Sequence, residues 1–411
     1  MSGKSSEKTG AKKSAQMSAL TSAPASLEPR IQRVRLISLI AGGAAIALAA
    51  ATAHLDPAQF FRSYLVAYLY WVSIALGCLG IILLHHLVGG GWGFFIRRLL
   101  ESATRTLALL AALFVPLLFG LSRLYLWAQP ASVAADPILI KKQSYLNPQF
   151  FTIRAAIYFA AWIVLALLLN KWSADQDRTA DPAFQKRLSA MSGPGMLVYG
   201  LTITLAAVDW IISLEPHWFS TVYGLLFIVV QALTAMSFII LVATMLSRDE
   251  PLRSVASPGK FHDLGNLLFA FVMLWAYLAF AQFLIIWSGN LQEEIPWYIA
   301  RTTGGWAAVA LLLVLFHFAV PFFALLMRPV KRNPKVLAGV ALLLMVMSVV
   351  DLFWLVVPAF GQTSPQFHLM DLFAFVGIGG VWFGMFLWQL KKRPLLPLHD
   401  PRFPGVLGHA E

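Results

Sequence analysis

Ten runs of mostly apolar residues recur along the chain, separated by short polar segments. A helix rises ~1.5 Å per residue, so about 20 apolar residues cross the ~30 Å hydrocarbon core of a bilayer. The runs lie near residues 36–54, 63–88, 104–127, 152–170, 196–214, 220–246, 264–288, 304–327, 336–358 and 370–390. This pattern predicts an all-α polytopic membrane protein with about ten transmembrane helices, numbered here as spans one to ten.

The composition excludes an ordinary soluble domain. Hydrophobic residues make up 59% of the 411 residues and charged residues only 12%, against about 45–50% and about 25% in soluble domains. A net charge of +12 would suit a nucleic-acid partner if the basic residues formed one patch, but they alternate from loop to loop. We therefore expect membrane lipid as a partner and no nucleic acid.

The basic residues also predict an orientation. Six of the 31 Lys and Arg residues fall on one side of the membrane, and the other 25 fall on the side of the N-terminus. Cytoplasmic loops carry the excess of basic residues, so both termini are expected in the cytoplasm. Residues 1–32, rich in Ser, Ala and Lys, are predicted to be a disordered tail, and residues 394–411 a second cytoplasmic tail. The six outer residues are Arg62, Arg123, Lys141, Lys142, Arg154 and Arg301.

Two spans end in the same way. In span five Asp209 lies seven residues before Pro216, and in span nine Asp351 lies seven residues before Pro358. The proline closes each helix because it lacks the N–H that a helix interior needs. The match predicts an internal repeat, although chance resemblance between apolar helices is the alternative.

A second pair of similar segments is separated by nearly the same number of residues. The segment Pro148–Arg154 precedes span four as Pro296–Arg301 precedes span eight. Four spans separate the copies, so the repeat is parallel. It predicts two four-helix bundles within a membrane domain at 33–393: spans two to five at about 62–216 and spans six to nine at about 220–358. Spans one and ten then flank the bundles.

Ionisable side chains inside a membrane are costly and therefore indicate function by default. Asp209 and Asp351 fall in the outer halves of their spans, where they would handle protons or contact a quinone, or make structural hydrogen bonds. Arg123, in the outer part of span three, is the expected partner of Asp209. At the corresponding depth in span seven lies the neutral Gln282, so we expect Asp351 to be less stabilised as an anion.

Further titratable groups are predicted at the outer surface and in span eight. Glu215 and His217 follow span five, and His368 and Asp371 begin span ten; this cluster would serve proton delivery or plain surface hydrogen bonding. His317 lies in the middle of span eight, four residues before a proline, where a kink would free a carbonyl group.

The sequence offers little for a metal or a haem. Cys78 is the single cysteine, which excludes disulfides and iron–sulfur ligation within the chain. His85 and His86 lie near the cytoplasmic end of span two, whereas His317 lies ~15 Å from that side, so paired axial ligation is not expected. We predict no metal and no covalently bound cofactor; a quinol or quinone remains a candidate ligand.

Two polar segments outside the spans have separate interpretations. Residues 89–101 begin with three consecutive glycines and continue with aromatic and basic residues, which predicts a short surface helix acting as a membrane anchor without chemistry. Glu293 and Glu294 lie in a short outer loop, which predicts a functional end of the bundle or a docking surface.

Several motifs resemble one family. They are His85-His-Leu-Val-Gly-Gly-Gly-Trp-Gly, Ile96-Arg-Arg-Leu-Leu-Glu, the two Val-Asp-x6-Pro span ends, Phe280-Ala-Gln-Phe-Leu-Ile-Ile-Trp-Ser-Gly-Asn and Glu293-Glu-Ile-Pro-Trp-Tyr. Together they resemble the polysulfide-reductase and NrfD-type membrane subunits, in particular the smaller such subunit of alternative complex III. The likeness covers about residues 35–393.

The resemblance implies a bacterial inner-membrane complex that oxidises quinol. Its expected partners are a larger NrfD-like sister subunit, an iron–sulfur subunit and multihaem cytochrome c subunits on the outer side. In this family proton routes are expected in such bundles, and by motif and depth the corresponding residues here are Asp209, Asp351, His317 and Gln282. The candidate quinone contacts are Asp209, Arg123 and His217. On this interpretation the chain is a subunit of an oxidoreductase and is not catalytic alone. A purely structural anchor and a secondary transporter are the alternatives.

Overall fold

The computed structural model describes residues 27–179, 181–397 and 400, and all regular secondary structure in them is helical. Ten of these helices are long and apolar enough to cross a membrane. They are α1 (Leu27–Thr52), α2 (Pro57–Val88), α3 (Gly91–Phe119), α4 (Pro148–Thr179), α5 (Ala183–Leu214), α6 (Tyr223–Leu246), α7 (Pro258–Gly289), α8 (Trp306–Leu326), α9 (Pro334–Phe360) and α10 (Leu369–Lys391). The prediction of an all-α polytopic membrane protein with ten spans is confirmed.

Short helices connect the spans. They are Leu121–Leu124, Leu126–Ala128, Pro130–Ala135 and Pro137–Lys142 between α3 and α4, Leu252–Val255 between α6 and α7, Ile295–Thr302 between α7 and α8, and Arg328–Arg332 between α8 and α9. Several spans begin at a proline that follows a capping side chain: Asp56, Ser257 and Asn333 each accept a backbone N–H of the first turn. This is the usual way to satisfy the free donors of a helix start.

The spans form two rings with the same order of neighbours. In the first ring α2 and α4 each pack against α3 and α5, and in the second α6 and α8 each pack against α7 and α9. The rings join where α6 packs against α2 and α5, and where α9 packs against α2. Each ring is therefore the four-helix bundle that the sequence repeat predicts.

The two bundles approach closely at a glycine. A side chain at Gly77 of α2 would overlap the backbone carbonyl of Gln231 on α6. Only glycine permits this separation between the backbones, as at the small-residue contacts of other membrane helices. The contact fixes α2 and α6 as the buried centre of the molecule.

Outside the bundles, α1 pairs with α10, and α10 packs against α2. Gly42 and Gly380 face each other: a Cβ atom at Gly380 would lie 2.5 Å from the carbonyl oxygen of Ser38. The two flanking spans thus form a close pair beside the bundles, which we call the α1–α10 clasp.

The predicted disordered tail at 1–32 is too long, because α1 begins at Leu27. Its first turn is held in place: Leu27 and Ile31 are buried, and Glu28 pairs with Lys391 of α10 at 3.3 Å. Residues 1–26 of that tail, and residues 398–399 and 401–411 of the predicted C-terminal tail, lie outside the described residues.

Two ends of the molecule are used below. The Trp297 end is the one where α5, α7 and α9 finish, and it holds the Ile295–Thr302 helix. At the Arg97 end α4, α6, α8 and α10 finish. The sequence predicts that the Trp297 end faces the outside.

Candidate functional site

Asp209 is buried near the end of α5 and is fully paired. Arg154, in the first turns of α4, donates to both of its carboxylate oxygens at 2.8 Å. The hydroxyl of Tyr158, one turn further along α4, donates to the same carboxylate at 2.8 Å. With two charge-assisted bonds and a hydroxyl in place, this carboxylate fastens α4 to α5.

The predicted pairing of Asp209 with Arg123 is wrong. α3 ends at Phe119, and Arg123 lies beyond it, exposed on the short helix Leu121–Leu124. Arg154 occupies the buried position that faces α5, and it uses both oxygens of Asp209. The repeated segment Pro148–Arg154 pointed to Arg154 as the partner. The predicted depth of the residues in the membrane did not distinguish Arg154 from Arg123.

Asp351 has a different environment. It is 2% exposed, and its carboxylate accepts a hydrogen bond from the indole N–H of Trp275 at 3.3 Å. Among the described residues no Lys or Arg forms an ion pair with it. The residue that matches Arg154 in the repeat is Arg301, and Arg301 pairs instead with Glu215 at 2.6 Å and donates to the Leu355 carbonyl at 2.9 Å.

Beside Asp351 lies a cavity of about 610 Å³, formed within the second bundle. We call it the Trp275 cavity. It is lined by Leu226, Met273, Trp275, Ala276, Tyr277, Ala279, Phe280, Gln282, Phe283, Trp297, Tyr298, Thr302, Ala310, Leu313, Val314, Phe318, Asp351, Trp354 and Leu355. The walls are mostly aromatic and aliphatic with few polar groups, which is the usual make-up of a small-molecule site.

The cavity opens on the side of the bundle. Tyr277 and Phe280, which form part of its lining, are 66% and 61% exposed on the outer surface of α7. Since α7 spans the membrane, this opening faces lipid. Asp351, buried within the bundle, lines the same cavity.

Gln282 shares the cavity with Asp351, but its amide oxygen accepts a hydrogen bond from Ser220 at 3.2 Å. Ser220 belongs to the loop that joins the two bundles. Gln282 thus joins α7 to that loop. It is neutral, and the α7 group that hydrogen-bonds Asp351 is the indole of Trp275.

His317 lies in a π-helical turn of α8, Leu313–Ala319. The predicted helix distortion is present, since a wider turn replaces regular α-helix just before Pro321. The ring is fully buried, packs against Trp275 with 4.4 Å between ring centres, and has no hydrogen-bond partner among the described residues. Such turns often occur at functional sites.

The titratable groups expected in one outer cluster are separate. Glu215 pairs with Arg301, as described. His217 pairs with Asp136 at 2.6 Å. Asp371 caps the start of α10 by accepting from the His368 N–H at 2.8 Å, and it also accepts from Ser63 at 2.5 Å. The prediction of a single cluster is wrong, because each acid is paired with or hydrogen-bonded to a partner on a different element.

The surroundings of Asp136, including its contact with His217, change the pKa of its carboxyl group. Partial desolvation alone would raise the pKa of Asp136, but hydrogen bonds from the Ile138 N–H and from His217 outweigh it and hold that pKa below its usual range. The carboxylate form is thereby favoured. This pair fastens the loop after α5 to the loop before α4.

The segment predicted as a surface anchor is in fact buried. Gly91–Thr104 forms the first half of α3, and Arg97 donates to Glu101 and to Asp400 at 2.9 Å each. Arg98 donates to Glu101 at 2.6 Å and pairs with Asp177 of α4. The basic residues face acids instead of lipid headgroups, and they tie α3, α4 and the C-terminal segment together at the Arg97 end.

Near that end His85 and His86 are both buried, with 5.3 Å between their ring centres. His85 also packs against Trp92 at 5.2 Å. In the part of the chain that the structure describes, no three His, Cys, Asp or Glu side chains are grouped closely enough to hold a metal ion. Cys78 is buried.

Compared with known proteins, the chain matches no family model, and no curated protein matches it.

Proposed function

We propose that the chain is an integral membrane subunit of a respiratory quinol:cytochrome c oxidoreductase of the alternative complex III type. It corresponds to the smaller NrfD-type subunit, the quinone-binding subunit 2, of a bacterial inner membrane. In this complex it contributes a quinone pocket and a proton route, and it docks the redox subunits. The motif resemblance described above and the chemistry of the Trp275 cavity support this proposal.

The observation that carries the proposal is the combination of a lipid-facing apolar cavity with a buried, cation-free carboxylate. A quinol has a flat ring, two hydroxyl groups and a long apolar tail. Trp275, Trp297 and Tyr298 offer flat aromatic walls for the ring. The opening beside Tyr277 and Phe280 suits a tail that stays in lipid.

In this proposal Asp351 accepts a proton from the bound quinol. Quinol oxidation releases two protons, and a carboxylate in the cavity wall can accept one of them. Arg301 is held by Glu215, and no Lys or Arg in the described part of the chain forms an ion pair with Asp351. An unpaired carboxylate in an apolar site takes up a proton more readily than a paired one.

The proposed ligand site differs from the candidate contacts chosen from sequence. Asp209, Arg123 and His217 do not line the Trp275 cavity, whereas Asp351 and Gln282 do. The quinone site is accordingly placed in the second bundle. The first bundle, with its Arg154–Asp209 pair, would be a structural counterpart.

The proposed partners are the larger NrfD-like sister subunit, within the membrane, and an iron–sulfur subunit and multihaem cytochrome c subunits, which meet the Trp297 end. The loop after α7 carries Glu293 and Glu294, of which Glu293 is exposed. Together with the ordered helix Ile295–Thr302 it offers an acidic, preformed surface to a partner.

The test is affinity purification of the tagged full chain from its native membranes. Haem staining and iron analysis should reveal cytochrome c and an iron–sulfur protein in stoichiometric amounts. A photoreactive ubiquinone or menaquinone analogue should label the second bundle. Ala279→Phe, which fills the cavity, should abolish this labelling, and Ala160→Phe on the exposed face of α4 should not.

Each outcome separates the candidate functions. Co-purification without labelling would leave the chain as a structural anchor of the complex. Purification of the chain with no redox partner would contradict the proposal and favour a transporter.

A further inference from the structure

Arg62, in the first turns of α2, is a half-buried cation without an anionic partner. Its guanidinium group lies over the ring of Phe360 at 4.7 Å, and it forms no ion pair with an acid of the described residues. Its buried Nε atom also has no hydrogen-bond partner among them. Buried charges and buried polar atoms are normally paired, so this arginine calls for an anion.

Two hydrogen-bond acceptors line the same narrow pocket as Arg62. They are the side chains of Gln362 and Asp371. The Gln362 side-chain oxygen is buried and has no hydrogen-bond partner in the described part of the chain. The Asp371 carboxylate accepts from the Ser63 hydroxyl at 2.5 Å and from the His368 N–H at 2.8 Å, both of them neutral donors. The pocket therefore joins a cation and an anion that do not pair with each other.

An apolar groove continues from this pocket. The pocket measures about 10 Å³ and the groove about 360 Å³, and Val66, Phe353 and Asp371 line both. The groove lies between α9 and α10, beside α2. Phe367 and Leu372, which also line it, are 72% and 44% exposed. Since α9 and α10 span the membrane, the groove opens to lipid near the Trp297 end.

A small charged pocket beside an apolar groove has the chemistry of a phospholipid site. A phosphate group is a preferred anion of a guanidinium group. A primary ammonium group donates three hydrogen bonds, which Asp371 and Gln362 can accept. The pocket has about the volume that holds one water molecule, so a primary ammonium group fits it and a bulky trimethylammonium group does not.

We propose that the groove binds one molecule of phosphatidylethanolamine. The phosphate binds Arg62, the ammonium group enters the pocket at Asp371 and Gln362, and an acyl chain lies along Val66 and Phe353. Bound in this way, the lipid fills the space between α9 and α10 and fastens the α1–α10 clasp to the second bundle. The site is independent of the proposed function, because none of its lining residues belongs to the Trp275 cavity.

The test measures lipid binding to the purified, delipidated full chain by native mass spectrometry. Dioleoyl phosphatidylethanolamine, phosphatidylcholine and phosphatidylglycerol are added in turn in detergent micelles. We expect one tightly bound phosphatidylethanolamine per chain. Its affinity should exceed that of the other two lipids by about tenfold, because neither of them can donate hydrogen bonds from a primary ammonium group to the carboxylate.

Two variants and two matched controls locate the site. Arg62→Gln removes the cation and should weaken phosphatidylethanolamine binding by about tenfold, whereas Arg123→Gln, at another arginine predicted on the outer side, should bind as the wild type does. Val349→Phe fills the groove and should abolish binding. Val346→Phe, on a 53% exposed position of α9 outside the groove, should not. Thermal unfolding checks that each variant is folded.

The outcomes are distinguishable. Equal binding of the three lipids would overturn the proposal and indicate ordinary contact with the bilayer. Unchanged binding in Arg62→Gln and Val349→Phe would place the lipid elsewhere on the molecule and overturn it as well. Retention of no lipid by the wild type would also overturn it and favour a protein subunit as the cover of the groove. Should Arg62→Gln fail to fold, the comparison of the three lipids on the wild type and on Val349→Phe still decides.

Discussion

Arg301 donates to Glu215 at 2.6 Å and so joins the second bundle to the first. Its guanidinium group is fully buried and lies over the ring of Trp297 at 3.9 Å. In the first bundle the matching arginine, Arg154, binds the aspartate of its own bundle. The repeat therefore keeps the arginine in both copies and changes its partner, so that Asp351 has no ion pair with a Lys or Arg of the described residues.

Breaking the pair of Arg154 and Asp209 should destabilise the protein strongly. Arg154→Gln leaves a buried carboxylate without its cation, and removal of one partner from a buried pair costs about 3–5 kcal/mol. Thermal unfolding of the purified chain in detergent should show a clearly lowered midpoint.

Two comparisons test the assignment of that pair. Arg123→Gln, at an exposed position of the short helix Leu121–Leu124, should unfold at the wild-type temperature. Combining Arg154→Gln with Asp209→Asn removes both charges and should recover much of the lost stability. A large loss in Arg123→Gln would contradict the pairing seen here.

The two membrane aspartates should behave differently when each is replaced by asparagine. Asp351→Asn should lower proton release and turnover of the complex by roughly tenfold or more while assembly stays intact, because a proton acceptor is lost. Asp209→Asn should mainly weaken assembly, because it leaves the Arg154 guanidinium buried without its anion.

Native gels and quinol-dependent cytochrome c reduction measure the two effects. If both variants assembled fully and turned over at the wild-type rate, the assignment of Asp351 to proton handling would have to be abandoned.

The orientation of the chain can be tested at the loop after α7. A cysteine introduced at the exposed Gln292 should react with an impermeant maleimide in intact cells, because this loop is predicted to be external. Cys78, the single native cysteine, is buried and should give little background.

Arg178→Cys is the control at the opposite end of the molecule. It lies exposed at the end of α4 and should react only after the cells are lysed. The reverse pattern of labelling would invert the predicted topology.

The isolated subunit should be colourless. His85 and His86 lie at one depth and His317 at another, so no two of them are expected to hold a haem between α2 and α8. A reduced-minus-oxidised spectrum of the pure chain should show no Soret band, while the intact complex should show strong cytochrome bands. Stoichiometric b-type haem in the pure chain would refute this and identify these histidines as ligands.

The ten helices follow from the sequence because a backbone in lipid must satisfy its own hydrogen bonds, so each long apolar run becomes a helix. The partner of Asp209 did not follow from depth. Arg123 and Arg154 are both basic residues near the outer ends of spans, and the choice depends on where α3 ends. That helix ends at Phe119, before Arg123. The apolar residues that follow Phe119 hide this end in the sequence.

The burial of Arg97 and Arg98 was not predictable from local pattern. A surface amphipathic helix and a buried ion-paired helix both show basic and aromatic residues in alternation. Only Glu101 lies within one turn, where spacing indicates a pair. The acids Asp177 and Asp400 are 79 and 303 residues away from their arginines, and such pairs depend on how the whole chain folds.

The α1–α10 clasp has a consequence for how the protein is made. α1 packs chiefly against α10, yet more than 300 residues must be synthesised after Gly42 before Gly380 leaves the ribosome. During that interval α1 lacks its main partner and contacts the rest of the molecule only slightly, at α2 and through the pair of Arg30 and Asp249. We therefore expect the clasp to close last, and we expect a chain cut short before Leu369 to reach the membrane with the glycine face of α1 uncovered.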